Sequence, residues 1–123
     1  MSNLSDSTLL YRAISNKKWF DSRTKMILPV AFRLREAKGE TGISTDLIPE
    51  RCYQFISSCY GIIKISVGDI RSLGLEVDNN HHTHVNIINF PNPTLEKMKY
   101  QKVVDTLTQK ARIYQLFNPP ITK

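Results

Sequence analysis

An α+β domain with a small mixed or antiparallel sheet is the fold class that this 123-residue chain predicts, and three observations predict it. Short β-prone runs such as "TLLYRAI" and "IIKIS" recur along the chain. Two longer segments carry apolar residues at helical spacing, at about 47–60 and 93–116. Between them, "SVGDIRSLG" has the length and caps of one short helix, at about 67–73. The order strand, helix, strand, short helix, paired strands, helix is that of an α+β domain.

Each element has a local reason. "TLLYRAI" alternates, with Leu10, Arg12 and Ile14 on one face and Leu9, Tyr11 and Ala13 on the other. "MILPVAFRLR" is β-prone, but Pro29 puts it at a sheet edge or breaks it. In "STDLIPERCYQFISSCYG", Asp46 reads as a cap and Pro49 as a first-turn residue. Ile48, Cys52, Phe55, Ile56 and Cys59 follow at helical spacing, and Gly61 ends the run. Ser66, three residues before Asp69, opens the short helix and Gly74 closes it. "LEV" and "HTHVNIINF" read as strands joined by the turn "DNNH". Asn92 and Pro93 start the last helix, whose stripe is Tyr100, Val103, Val104, Leu107, Ala111 and Tyr114; "NPP" at 118–120 closes it.

Composition narrows the class. A hydrophobic fraction of 41% and a charged fraction of 23% are those of a globular protein, with one core and one domain over residues 1–123. Residues 1–7 read as a short polar tail. The start lacks the basic and apolar regions of a secretory signal, and no apolar run approaches the ~20 residues of a membrane span, so a cytoplasmic location without a membrane partner is expected. Cys52 and Cys59, seven apart on the expected helix, are too distant for a disulfide and lack a metal-site spacing.

The net charge of +6 is concentrated in two segments. Lys17, Lys18, Arg23, Lys25, Arg33, Arg35 and Lys38 give residues 17–40 a net +4, and Lys97, Lys99, Lys102, Lys110 and Arg112 give residues 93–117 a net +3. If the two meet, they form one basic surface for nucleic acid or an acidic protein; the rival reading is solubilising surface charge. Trp19, Phe20 and Phe32, placed among these cations, suit either base stacking or core burial. In "GETGIST", Ser44 and Thr45 precede a helix start where backbone N–H groups attract anions, although the Asp46 carboxylate competes for that position.

All three histidines fall within "HHTH". On a strand, His82, His84 and Asn86 share a face. A His-x-His pair could hold a metal with Asp46, Asp69 or Asp78, but nothing selects a third ligand, so no metal site is assigned. Two imidazoles also suit acid–base cleavage of an RNA phosphodiester, with Arg12 or Lys64 stabilising the charge. The plainer alternative is a polar turn and a solvent-facing strand. No cofactor is indicated.

"ISVGDIRSLGLEV", together with "LYRAI", "AFR…GIST" and "HTHVNI", resembles a family of small uncharacterised bacterial proteins over roughly residues 9–88. That resemblance implies a bacterial cytoplasmic domain and no particular activity. Arg12 on a first strand, with the pair Ser44 and Thr45 at a later strand-to-helix junction, is also similar in layout to ADP-ribosyltransferase-like folds. There the arginine and serine position a dinucleotide and a glutamate polarises the ribose. Here the last strand carries His82, His84 and Asn86 in place of a glutamate. Three functions follow as expectations: a basic binding module for nucleic acid or an acidic protein, an RNA- or nucleotide-processing enzyme using His82, His84 and Arg12, or a homo-oligomeric interaction protein.

Overall fold

The computed structural model describes residues 3–123, apart from the Asn80 side chain. Its elements are β1 (Leu9–Ala13), β2 (Phe20–Asp21), β3 (Met26–Ile27), β4 (Ile43–Asp46), β5 (Ser58–Ser66), α1 (Val67–Arg71), β6 (Glu76–His81), β7 (His84–Ile88), α2 (Lys97–Lys110) and β8 (Arg112–Thr122). Short 3-10 turns at Lys17–Trp19, Pro29–Phe32, Glu36–Lys38 and Pro49–Arg51 fill the connections. Six strands form one antiparallel sheet in the order β6-β7-β4-β1-β5-β8, and β2 pairs with β3 separately. The α+β class therefore holds, with an antiparallel sheet.

The helix expected at 47–60 is absent. Asp46 does cap, but its carboxylate accepts from the Ile48 N–H at 2.9 Å, closing a turn rather than opening a helix. Pro49 then starts one 3-10 turn, and from Ser58 the chain is strand. Gly61 terminates nothing: it lies inside β5, where a Cβ would stand 2.7 Å from the Gln115 carbonyl oxygen, so its missing side chain lets β8 approach.

The last helix is shorter than 93–116. Asn92 accepts from the N–H groups of Thr94 and Leu95, both at 2.9 Å, and α2 starts only at Lys97. The stripe through Ala111 is buried as expected, but Tyr114 lies in β8, with its ring 4.9 Å edge-on from Tyr11. Pro119 and Pro120 do not close a helix; they sit in β8, an edge strand that needs fewer backbone donors. The short helix matches its signals, with the Ser66 hydroxyl accepting from Asp69 N at 3.1 Å.

One face of the sheet packs Leu10, Ile63, Ile65, Val85 and Ile87 against Val104 and Leu107 of α2, Ile70 of α1 and the wholly buried Phe32. The segment expected as a tail is tethered: Arg71 donates to the Leu4 carbonyl and to Asp6, both at 2.8 Å. Cys59 is buried and Cys52 half-buried, both as free thiols and not on one helix. Among the described residues no helix is long and apolar enough to cross a membrane.

Candidate functional site

The sheet is weakest at its centre, and the candidate site lies there. β1 and β4 share only the pair Tyr11 and Asp46, and the two strands diverge beyond it. Arg12 reaches into the gap. Its Nε donates to the Ala31 carbonyl at 2.8 Å and its Nη1 to the Ser44 carbonyl at 2.9 Å, with the guanidinium 4.8 Å from the centre of the Trp19 ring. These contacts fix the plane of the fork. Nη2 makes no hydrogen bond among the described residues and is not a buried unsatisfied atom, and Arg12 borders open space.

That space is a cavity of about 200 Å³ bounded by Arg12, Trp19, Arg35, Glu40 and Ser44. Desolvation brings the Arg12 pKa down to about 10, against the opposing pull of the Glu40 charge. The group is still a cation at neutral pH. Glu40 does not neutralise it directly: its carboxylate is held by Arg35, at 2.6 Å from Nη2. Burial works to raise the Glu40 pKa, and the hydrogen bonds from the Arg35 side chain and backbone reverse this, leaving it below the usual value.

A second cavity, of about 410 Å³, adjoins the first through Ser44, Cys52 and Ile56. His81, His82 and His84 all line it, together with Thr45, Asp46 and Phe55. The structure thus brings Ser44 and Thr45 to the histidines and sets Arg12 in the adjoining arm. Ser44 and Thr45 lie in β4 rather than before a helix, so no helix N-terminus faces a ligand there. The Thr45 hydroxyl is spent on the Val85 carbonyl at 2.7 Å.

The histidines are arranged differently from the expected strand face. The turn is His82–Thr83, not "DNNH", and His82 adopts a left-handed conformation at φ 51°. His82 is therefore no strand neighbour of His84. Instead His81 stands opposite His84 in the hairpin, and the His81 and His82 rings meet edge-on at 4.2 Å. The register carries on across the sheet: His84 opposite Asp46, Asp46 opposite Tyr11, Tyr11 opposite Lys64, and Lys64 opposite Arg112. Because direct partners share a face, this is one polar row spanning six strands. Burial first, then the Tyr114 and Glu50 charges, raises the Tyr11 pKa.

No group of three or more His, Cys, Asp or Glu side chains is placed to hold a metal ion among the described residues. Cys52 touches both cavities, but burial, reinforced by Cys59, pushes its thiol up to about 12, which leaves it protonated at neutral pH and a poor nucleophile.

The two basic segments adjoin. Arg33 donates to Gln101 of α2 at 3.2 Å, and Lys25 and Arg112 line one shallow cavity at the α2–β8 junction. Some of the expected contact residues are already paired: Arg35 with Glu40, Lys99 with Glu96 at 3.9 Å, and Lys110 with Asp69 at 3.8 Å. Lys17, Lys18, Arg23, Lys25, Lys97, Lys102 and Arg112 have no ion-pair partner among the described residues. Of the aromatics, Phe32 is core and Trp19 covers Arg12.

Sequence reasoning missed His81, Asp46 as the centre of a row, Phe55 and Glu40. Only His81 had a local signal, because a two-residue turn at His82–Thr83 places it opposite His84. No protein-family model, curated protein sequence or solved structure matches this chain.

Proposed function

We propose that the cleft at the β1/β4 divergence binds a phosphate-bearing ligand of the nucleotide class, with the phosphate on Arg12 and the histidine hairpin beside the rest of the molecule. The observation that carries this reading is the Arg12 guanidinium, a partly desolvated cation fixed by two backbone carbonyls at the edge of a cavity, with its remaining nitrogen not hydrogen-bonded among the described residues. A half-buried, partly desolvated cation without a bonded carboxylate is stabilised by an anionic ligand, and a planar fork suits phosphate oxygens. His84, opposite Asp46, and the neighbouring His81 and His82 place imidazoles, side chains suited to general acid–base chemistry, in the same cleft, which suits nucleotide or RNA processing.

A second reading has its own observation. Lys25 beside Arg112, and Arg33 against α2, join the two basic segments into one surface, which suits a nucleic-acid strand. The two readings separate in an NMR titration with AMP and with a short oligoribonucleotide. Cleft binding shifts the Arg12 Nε–H signal and the amides of Gly42 and Ser44 with AMP alone. Shifts confined to α2 and residues 17–25, seen only with the oligonucleotide and lost at high salt, would transfer the function to the basic surface.

A further inference from the structure

The two arms of the cleft differ in chemistry. The smaller presents guanidinium groups and a carboxylate; the larger is lined mainly by apolar and aromatic surface. At the mouth of the larger arm stands Phe55, 94% exposed and the most exposed large hydrophobic side chain among the described residues. It lies in the turn region between the Pro49–Arg51 3-10 turn and β5, two residues after Tyr53, whose ring packs on Phe117 at 5.8 Å. The turn is thus anchored on one side of Phe55 by Tyr53 and on the other by the half-buried Ile56. Across the same cavity the hairpin contributes the imidazole pair of His81 and His82. An aromatic group on each of two bounding elements, next to an arm with a cation, matches a ligand that is anionic at one end and a flat heteroaromatic at the other.

We infer that Phe55 is the base-stacking residue of the cleft, so that the site selects nucleotides over sugar phosphates. This rests on the phosphate reading of Arg12 and deepens it. Stacking a base on Phe55 removes apolar surface of both partners from water and needs no sequence-specific hydrogen bond.

The test compares AMP with ribose 5-phosphate by titration calorimetry on the wild-type protein, Phe55→Ala and Phe55→Trp. Phe55 is already solvated, so the alanine variant folds; its circular dichroism and melting temperature verify this. The wild-type protein is expected to favour AMP by about 5- to 150-fold, the range of base–aromatic stacking of about 1–3 kcal/mol. That ratio collapses toward one in Phe55→Ala and persists in Phe55→Trp. A ratio near one in the wild type, or a large ratio that survives Phe55→Ala, overturns the role of Phe55 and leaves the phosphate reading standing. Failure of both ligands to bind the wild-type protein overturns the phosphate reading as well.

Discussion

Replacing Tyr100 by Phe removes one oxygen atom from the joint between α2 and the segment leading to Arg35. The Tyr100 hydroxyl accepts from the Leu34 N–H at 2.7 Å, and the residue is only 7% exposed. The phenyl ring that remains keeps its place in the core and its tilted contact with Phe90 at 6.2 Å. What is lost is a partner for one part-buried backbone donor. Leaving such a donor unpaired costs about 1–3 kcal/mol, and partial access to water holds this case to about 1–2 kcal/mol. With an unfolding entropy of about 2.1 cal/mol/K per residue over 123 residues, the melting temperature falls by about 4–8 °C. Differential scanning calorimetry at pH 7 measures this directly. Tyr114→Phe is the control, because Tyr114 is 44% exposed and its hydroxyl has no hydrogen bond among the described residues; it leaves the transition in place. Equal melting temperatures for Tyr100→Phe and the wild type would show that the Leu34 N–H gains nothing from the Tyr100 hydroxyl. The same burial, opposed by the Leu34 bond, raises the Tyr100 pKa above 10.0. Its contribution is complete below the unfolded value and is lost as pH rises through the folded one, so the wild type loses stability above about pH 10 and Tyr100→Phe loses less.

Gly61, two carboxylates and the two cysteines give three further outcomes. Gly61→Ala puts a Cβ at 2.7 Å from the Gln115 carbonyl oxygen and 3.0 Å from Leu116 Cδ2, so β8 must move; chemical denaturation should show a loss of about 1–3 kcal/mol, and wild-type stability would contradict the close approach. Glu76, lowered chiefly by the Val77 N–H and then by Arg71, and Glu40, lowered on balance by Arg35, both contribute stability above the ordinary carboxyl value of 4.5 that is lost as pH falls through their folded values. Melting temperatures should therefore drop from pH 5 to pH 3, and less steeply in Glu76→Gln; parallel profiles would count against it. With the Cys52 thiol raised to about 12 and that of Cys59 raised by burial, a disulfide reagent at pH 8 should label the native protein far more slowly than the unfolded chain, and equal rates would contradict their burial.

The features legible in the sequence were those whose causes are local. Alternation placed β1, and a serine three residues before Asp69 placed α1, because each signal acts within one turn or strand. The helix expected at 47–60 failed because Asp-x-x-Pro is ambiguous. It caps a helix, and it equally makes an Asx turn followed by a single 3-10 turn, which is what forms. The apolar periodicity there was coincidental: Cys59 is buried in a strand while Phe55 is solvated. β8 was hidden because the stripe of α2 continued in register to Tyr114, and because two prolines suit an edge strand whose edge position only the tertiary fold reveals. The site was legible in its components rather than its assembly. Arg12, Ser44 and the histidines were singled out, but the fork of Arg12 is set by main-chain carbonyls of Ala31 and Ser44, which no side-chain pattern encodes. The polar row through Asp46 depends on strand order, a non-local property.

The proposal places a phosphate group on the nitrogen of Arg12 that makes no hydrogen bond, in the β1/β4 cleft. A crystal structure of the protein with AMP tests it most directly. A phosphate oxygen is expected within hydrogen-bond distance of Arg12 Nη2, between Trp19 and Ser44. AMP bound instead along the lysines of α2, or an empty cleft at saturating nucleotide, would contradict it.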